Sequence, residues 1–94
     1  MRESKIETET CDYAKNLGWL CYKFSSPGNR SVPDRIFIRD KILFFIEFKA
    51  ADKQLTKLQA HTARKISSEG FEIYVIDNLK AGIALFDRME QYVS

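Results

Sequence analysis

The sequence predicts an α/β domain, a mixed β-sheet flanked by helices, with elements in the order α-β-β-β-α-β-α. Apolar residues recur at helical spacing in three segments and at strand spacing in four. Residues that start or stop helices fall where the period changes. The segment Ile42 to Ala50 opens apolar on both faces, as a central strand covered from both sides does.

The elements follow in order. Ser4 to Leu17 forms an amphipathic helix, with Ile6, Thr10, Tyr13, Ala14 and Leu17 on one stripe and Gly18 as its stop. Trp19 to Phe24 is an aromatic-rich strand, and Ser25 to Pro33 a polar loop punctuated by Pro27, Gly28 and Pro33. Arg35 to Arg39 and Ile42 to Ala50 form a hairpin around Asp40-Lys41. Leu43 and Phe45 lie on one face of its second strand; Ile42, Phe44, Ile46 and Phe48 lie on the other. Thr56-Lys57-Leu58-Gln59 fits a capping box opening a helix that runs to about Ser68 and ends at Gly70. Phe71 to Ile76 is the fourth strand. Asn78 then caps a helix carrying Leu79, Ile83, Phe86 and Met89.

Composition bounds the function. Hydrophobic residues make up 45% of the 94 residues, and seven Phe among them supply a core without staples, so residues 1–94 are expected to form a single domain. Cys11, Cys21 and a single His do not compose a disulfide framework or a structural zinc site. The apolar run Ile42 to Ile46 is too short to span a bilayer, and no charged-then-apolar leader opens the chain. The cytoplasm is the expected compartment, with no membrane partner. A net charge of only +2 excludes bulk electrostatic binding of nucleic acid, so phosphate contacts must come from a local patch. A domain this small acting on a large substrate is expected to work as an oligomer.

The chemistry concentrates at Asp34, Glu47 and Lys49. With Asp40-Lys41 as a two-residue turn, counting back along the hairpin puts Asp34 directly across from Glu47. A four-residue loop keeps that register, and an odd-length loop breaks it. Opposed side chains have Cβ atoms roughly 4.5–5.5 Å apart, where like charges destabilise a sheet. Two carboxylates so placed take a cation between them, or one stays protonated. Oxygen ligands of this kind suit Mg²⁺ or Mn²⁺. Lys49, two residues past Glu47, projects from the same face. Taken singly, an Asp after Pro or a Glu-x-Lys pair is ordinarily structural; sharing the mouth of a buried strand makes the joint reading functional.

Pro33-Asp34 followed by Glu47-Phe48-Lys49 resembles the PD-(D/E)xK motif of the restriction-endonuclease-like nucleases. A wider ordered set is more specific: Gly18, Tyr22-Lys23-Phe24, Pro27-Gly28, Val32-Pro33-Asp34-Arg35, Ile46-Glu47-Phe48-Lys49 and Leu58-x-Gln. It resembles the virus-type replication-repair nuclease (VRR-NUC) domain from about Glu3 to Asp77, in the stand-alone form of phage and bacterial members. The resemblance implies a restriction-endonuclease-like core and Mg²⁺- or Mn²⁺-dependent hydrolysis of DNA phosphodiesters. It also implies a homodimer acting on branched DNA such as four-way (Holliday) junctions, in a bacterial or phage-infected cell and with no small-molecule cofactor. By position, Asp34 and Glu47 become metal ligands with the Phe48 carbonyl as a third, Lys49 the catalytic lysine, and Gln59 the glutamine on the following helix. Ser31 departs from the family's usual Gly before Val-Pro-Asp.

The family also carries an acidic residue on its first helix. At 100° per residue, Glu3 lies about 40° from the centre of the apolar stripe, and Glu7 and Glu9 about 80° from it, which selects Glu3. A capping box at Ser4-Lys5-Ile6-Glu7 would account for Glu7 and leave Glu3 just before the helix. Gln59 has a competing part in the Thr56 capping box, and the two roles could exclude each other. Lys23, Arg30, Arg35 and Lys53, with Lys57 beside them, are the candidate phosphate-binding patch. The same residues leave open a nuclease for flaps, nicks or plain duplex, and a DNA-structure-binding module without turnover.

Overall fold

The computed structural model describes residues 1–94. Its elements are α1 (Glu3–Asn16), β1 (Leu20–Lys23), β2 (Arg35–Arg39), β3 (Ile42–Phe48), α2 (Lys57–Ser68), β4 (Glu72–Ile76) and α3 (Leu79–Met89), then one short 3₁₀ turn, Glu90–Tyr92. The order matches the predicted one. The strands lie side by side as β1-β2-β3-β4. The first three are antiparallel; β3 and β4 run parallel, joined by the α2 crossover. No helix is long and apolar enough to cross a membrane.

Asp40 and Lys41 both have positive φ, 50° and 67°, so the hairpin closes on a two-residue turn of the type whose twist suits paired strands. The strands are a little shorter than predicted, although backbone bonds continue past their ends. Phe24 N–H donates to the Asp34 carbonyl at 2.9 Å, and Lys49 N–H to the Ile76 carbonyl at 2.9 Å.

Strand alternation sorts the sheet into two faces. Toward α1 and α3 point Phe37, Phe44, Ile46, Phe48 and Ile76, which meet Ile6, Cys11, Ala14, Trp19, Leu85 and Phe86 in one buried cluster. Trp19 packs edge-on against Phe44 and Phe86, with ring centroids 5.2 and 5.5 Å apart. α1 and α3 touch where Gly82 meets Thr10: a Cβ at residue 82 would sit 2.5 Å from the threonine hydroxyl.

α2 covers the opposite face only beside β4. Its start is the predicted capping box, with Gln59 N–H donating to Thr56 Oγ1 at 3.1 Å and Thr56 N–H to Gln59 Oε1 at 3.0 Å. Over β1 and β2 this face carries no helix, which leaves Leu20 and Tyr22 about half exposed, at 50% and 55%.

The capping box at Ser4–Glu7 does not form. The helix begins at Glu3 after Arg2, with no side-chain cap, and the Ser4 carbonyl instead accepts from Thr8 Oγ1 at 2.9 Å. Glu7 is drawn away to Arg35, and Glu3 lies within the first turn rather than before it.

Candidate active site

The hairpin register places Arg35 across from Ile46, so Asp34 follows one step on, across from Glu47. Both carboxylates leave the α2 face of the sheet, as does Lys49. Asp34 is fixed at the strand mouth by its Oδ2, which accepts from Phe48 N–H at 2.8 Å. In an extended strand a residue's N–H and C=O leave on the same edge, so the Phe48 carbonyl also faces the Asp34 side. The Phe48 ring is fully buried on the other face.

Glu47 is only 6% exposed. Burial, then the Asp34 charge, pushes its carboxyl up to about 7, against the pull of Lys49. Asp34 is raised too, by burial first, partly offset by the Phe48 hydrogen bond and reinforced by Glu7 and Glu3. Two carboxylates that each resist ionisation beside the other form a site short of positive charge.

Lys49 and Gln59 complete the group. Lys49 Nζ donates to Gln59 Oε1 at 2.8 Å and stands 3.6 Å from Glu47 Oε2. Gln59 Nε2 donates to the same Glu47 oxygen at 3.1 Å. The cap bond and the contact with Lys49 coexist, because Oε1 accepts from the Thr56 N–H and from Lys49 together. One amide closes the helix cap and ties α2 to the carboxylate strand.

Glu3 is exposed in the first turn of α1, and its charge reaches both Asp34 and Glu47. Glu7, the stronger influence on Asp34, is committed to Arg35, whose Nε donates to it at 2.6 Å.

The predicted basic patch divides. Arg35 follows Asp34 directly, so alternation turns it to the α1 face, where Glu7 holds it; Lys23, its cross-strand partner, shares that face. As an open phosphate contact beside the carboxylates, Arg35 is corrected to an internal ion pair. Arg30 and Lys53 are exposed in the loops that lead into Asp34 and away from Lys49, and neither is ion-paired. Lys57 is exposed at the start of α2.

Two further residues join the site through the loop. Ser31 is 5% exposed, its hydroxyl bonded to Asn29 and, at 2.5 Å, to Thr62 Oγ1 on α2. Its φ is not positive, so Ser in place of Gly carries no backbone strain there. The sequence offered Ser31 only as a departure from a pattern; Thr62, one turn after Gln59 with a helical neighbour's burial, carried no signal of its own.

No cluster of three or more His, Cys, Asp or Glu side chains is arranged to hold an ion. The donors present are the Asp34 and Glu47 carboxylates and the Phe48 carbonyl. An all-oxygen set of this size fits a hard divalent cation that keeps several waters and shares substrate phosphate, and does not fit zinc.

No family model matches the chain. It is 32% identical over 79 residues to a protein of Acyrthosiphon pisum secondary endosymbiont phage 1 named "Putative nuclease p44", over 83% of this chain and 85% of that protein. It also superposes on a solved structure described as a VRR_NUC domain, with a TM-score of 0.81, 98% of this chain and 97% of that one covered, and 18% identity. The chain belongs to the VRR-NUC family. Its mixed four-stranded sheet flanked by helices matches the VRR_NUC fold.

Proposed function

We propose that this VRR-NUC chain, acting over residues 1–94 as one domain, is a divalent-metal-dependent DNA endonuclease. It hydrolyses phosphodiester bonds, selects branched DNA such as four-way junctions, and works as a homodimer in the cytoplasm of a bacterial or phage-infected cell. The observation that carries the reading is the opposed Asp34 and Glu47 pair, both raised in proton affinity, with Lys49 held beside them by Gln59.

Asp34 and Glu47, with the Phe48 carbonyl, would hold Mg²⁺ or Mn²⁺, which when bound activates water and polarises the scissile phosphate. The other steps belong to the chain's own side chains. Lys49 orients the attacking water and offsets the charge that gathers on the phosphate oxygens as the bond breaks. Gln59 keeps the lysine's long side chain in one position, and Glu3 completes the acidic rim. Arg30 and Lys53 contact neighbouring phosphates and set the register of the DNA without reading its sequence.

The homodimer is supported by the helix-free strip of the sheet, where Leu20 and Tyr22 stand exposed beside half-buried Ile36, Ile38 and Leu43. A symmetric pair joined there would cover apolar surface and present two carboxylate sites.

The test is cleavage of a labelled four-way junction and a linear duplex of matched sequence, with Mg²⁺, Mn²⁺ or EDTA, by the wild type and Lys49→Ala. Metal-dependent cutting of the junction that falls at least about 10³-fold in the variant is the expected result. Equal cutting of both DNAs removes the junction selectivity. Binding without cutting under every metal removes the enzyme.

A further inference from the structure

The two cysteines belong to no part of the carboxylate site. Cys11 lies on the inner stripe of α1, 2% exposed, and Cys21 half-buried on the inward face of the edge strand β1. Cys21 packs against the buried cluster that contains Cys11, on the strand face that α1 covers. Arg35 stands over the pair, with Nη1 4.0 Å from Cys21 Sγ while its Nε holds Glu7. Glu7 and Cys11 are one helical turn apart, so the same turn of α1 carries both partners of this corner.

The two sulfurs are not equivalent. The neighbouring Cys11, then the nearby charges of Arg35 and Lys15, lower the proton affinity of Cys21, against the effect of burial. Cys11 is raised by the same contact and by its deeper burial. One thiol is thus poised as a nucleophile at the edge of the sheet, with Arg35 beside it, and the other lies behind it in the core. In a chain with no other cysteine, neither has an alternative internal partner.

We propose that Cys11 and Cys21 are a redox-modification site, at which a peroxide converts the dithiol to an intramolecular disulfide joining α1 to β1. The Cys21 thiolate attacks one peroxide oxygen; an S–O bond forms, the O–O bond breaks, and hydroxide leaves with the electron pair. Cys11 then attacks the oxidised sulfur; an S–S bond forms, the S–O bond breaks, and the oxygen leaves as water with the Cys11 proton. The proton first lost by Cys21 neutralises the hydroxide. Two thiols and one peroxide give one disulfide and two waters, and a reducing thiol reverses the result. The new bond anchors the turn carrying Glu7 to the strand beside Arg35, immediately behind Asp34.

The test uses the whole metal-free chain and hydrogen peroxide, with free-thiol titration, non-reducing peptide mapping and dimedone trapping. The wild type is expected to go from two free thiols to none, with a mass 2 Da lower and a single Cys11–Cys21 cross-linked peptide that dithiothreitol releases. Cys11→Ser should trap a dimedone adduct on Cys21. Cys21→Ser should leave Cys11 unmodified under the same dose. Two thiols surviving in the wild type, a cross-link only between chains, or an adduct appearing on Cys11 first would each overturn the proposal. Because the wild-type mapping needs no variant, a variant that fails to fold does not decide the matter.

Discussion

The two faces of β3 solve opposite problems with alternate residues of one strand. Phe44, Ile46 and Phe48 point toward α1 and α3 and fill a dry aromatic core, while Glu47 and Lys49, from between and beyond them, build a polar group under α2. The core face gains stability from burial. The other face accepts a loss, since Glu47 is held nearly solvent-free beside a second carboxylate. Adjacent residues therefore differ in kind: the Phe48 ring serves the fold, and Glu47 the proposed chemistry. The rigid face lets the strained one keep its geometry.

The largest effect should come from Phe48, and it should be structural. Phe48→Ala removes a fully buried ring and leaves a cavity that the surrounding aromatics can only partly close. The expected cost is about 3–5 kcal/mol, measured by urea unfolding with the metal absent. A loss below about 1 kcal/mol would mean that the core face is loosely filled and that the contrast between the faces is false.

Much of this contrast is legible in the sequence. The Asp34–Glu47 opposition follows from turn length alone, because a two-residue hairpin fixes the register of every pair behind it. The aromatic face follows from period-2 alternation. What the sequence could not show depends on how elements dock. The reach of Gln59 to both Lys49 and Glu47 depends on where α2 settles on the sheet, and the Ser31–Thr62 contact on how the loop folds under it. Arg35 is next to Asp34 in sequence, but alternation sends neighbours to opposite faces and delivers it to Glu7. The Ser4–Glu7 box lost to the stronger ion pair that Arg35 offers Glu7.

Glu47 should show the opposite sign. Its folded-state carboxyl titrates near 7, against an ordinary value of 4.5, so the folded chain binds the proton more tightly than the unfolded one. The contribution of Glu47 to stability without metal is then fully present below pH 4.5 and is lost as the pH rises through about 7. Asp34, raised in the same direction, adds to the decline. Glu47→Gln keeps the shape without the charge and should gain on the order of 2 kcal/mol at pH 8 in EDTA, with a flatter pH profile between those limits. The same variant should lose DNA cleavage. Thermal melts across the pH range check the first expectation. A variant less stable than the wild type at pH 8 would show that the ionised Glu47 is already compensated by Lys49.

Gln59 should give the smallest stability change, and it is the residue that joins the two demands. Gln59→Ala removes the reciprocal half of the capping box, leaving Thr56 N–H to water, at about 0.5–1 kcal/mol in an exposed helix start. It also frees Lys49 from its 2.8 Å anchor and deprives Glu47 of a donor. If positioning of the lysine matters, cleavage should fall about 10–100-fold, far more than so small a loss of stability explains. Gln59→Glu separates the two effects: its carboxylate can still accept from Thr56 N–H and Lys49, but it sets a third negative charge against Glu47. Cap stability should return while cleavage stays low. Equal recovery of both would make the acceptor shared by Thr56 N–H and Lys49 sufficient and the Nε2 bond to Glu47 dispensable.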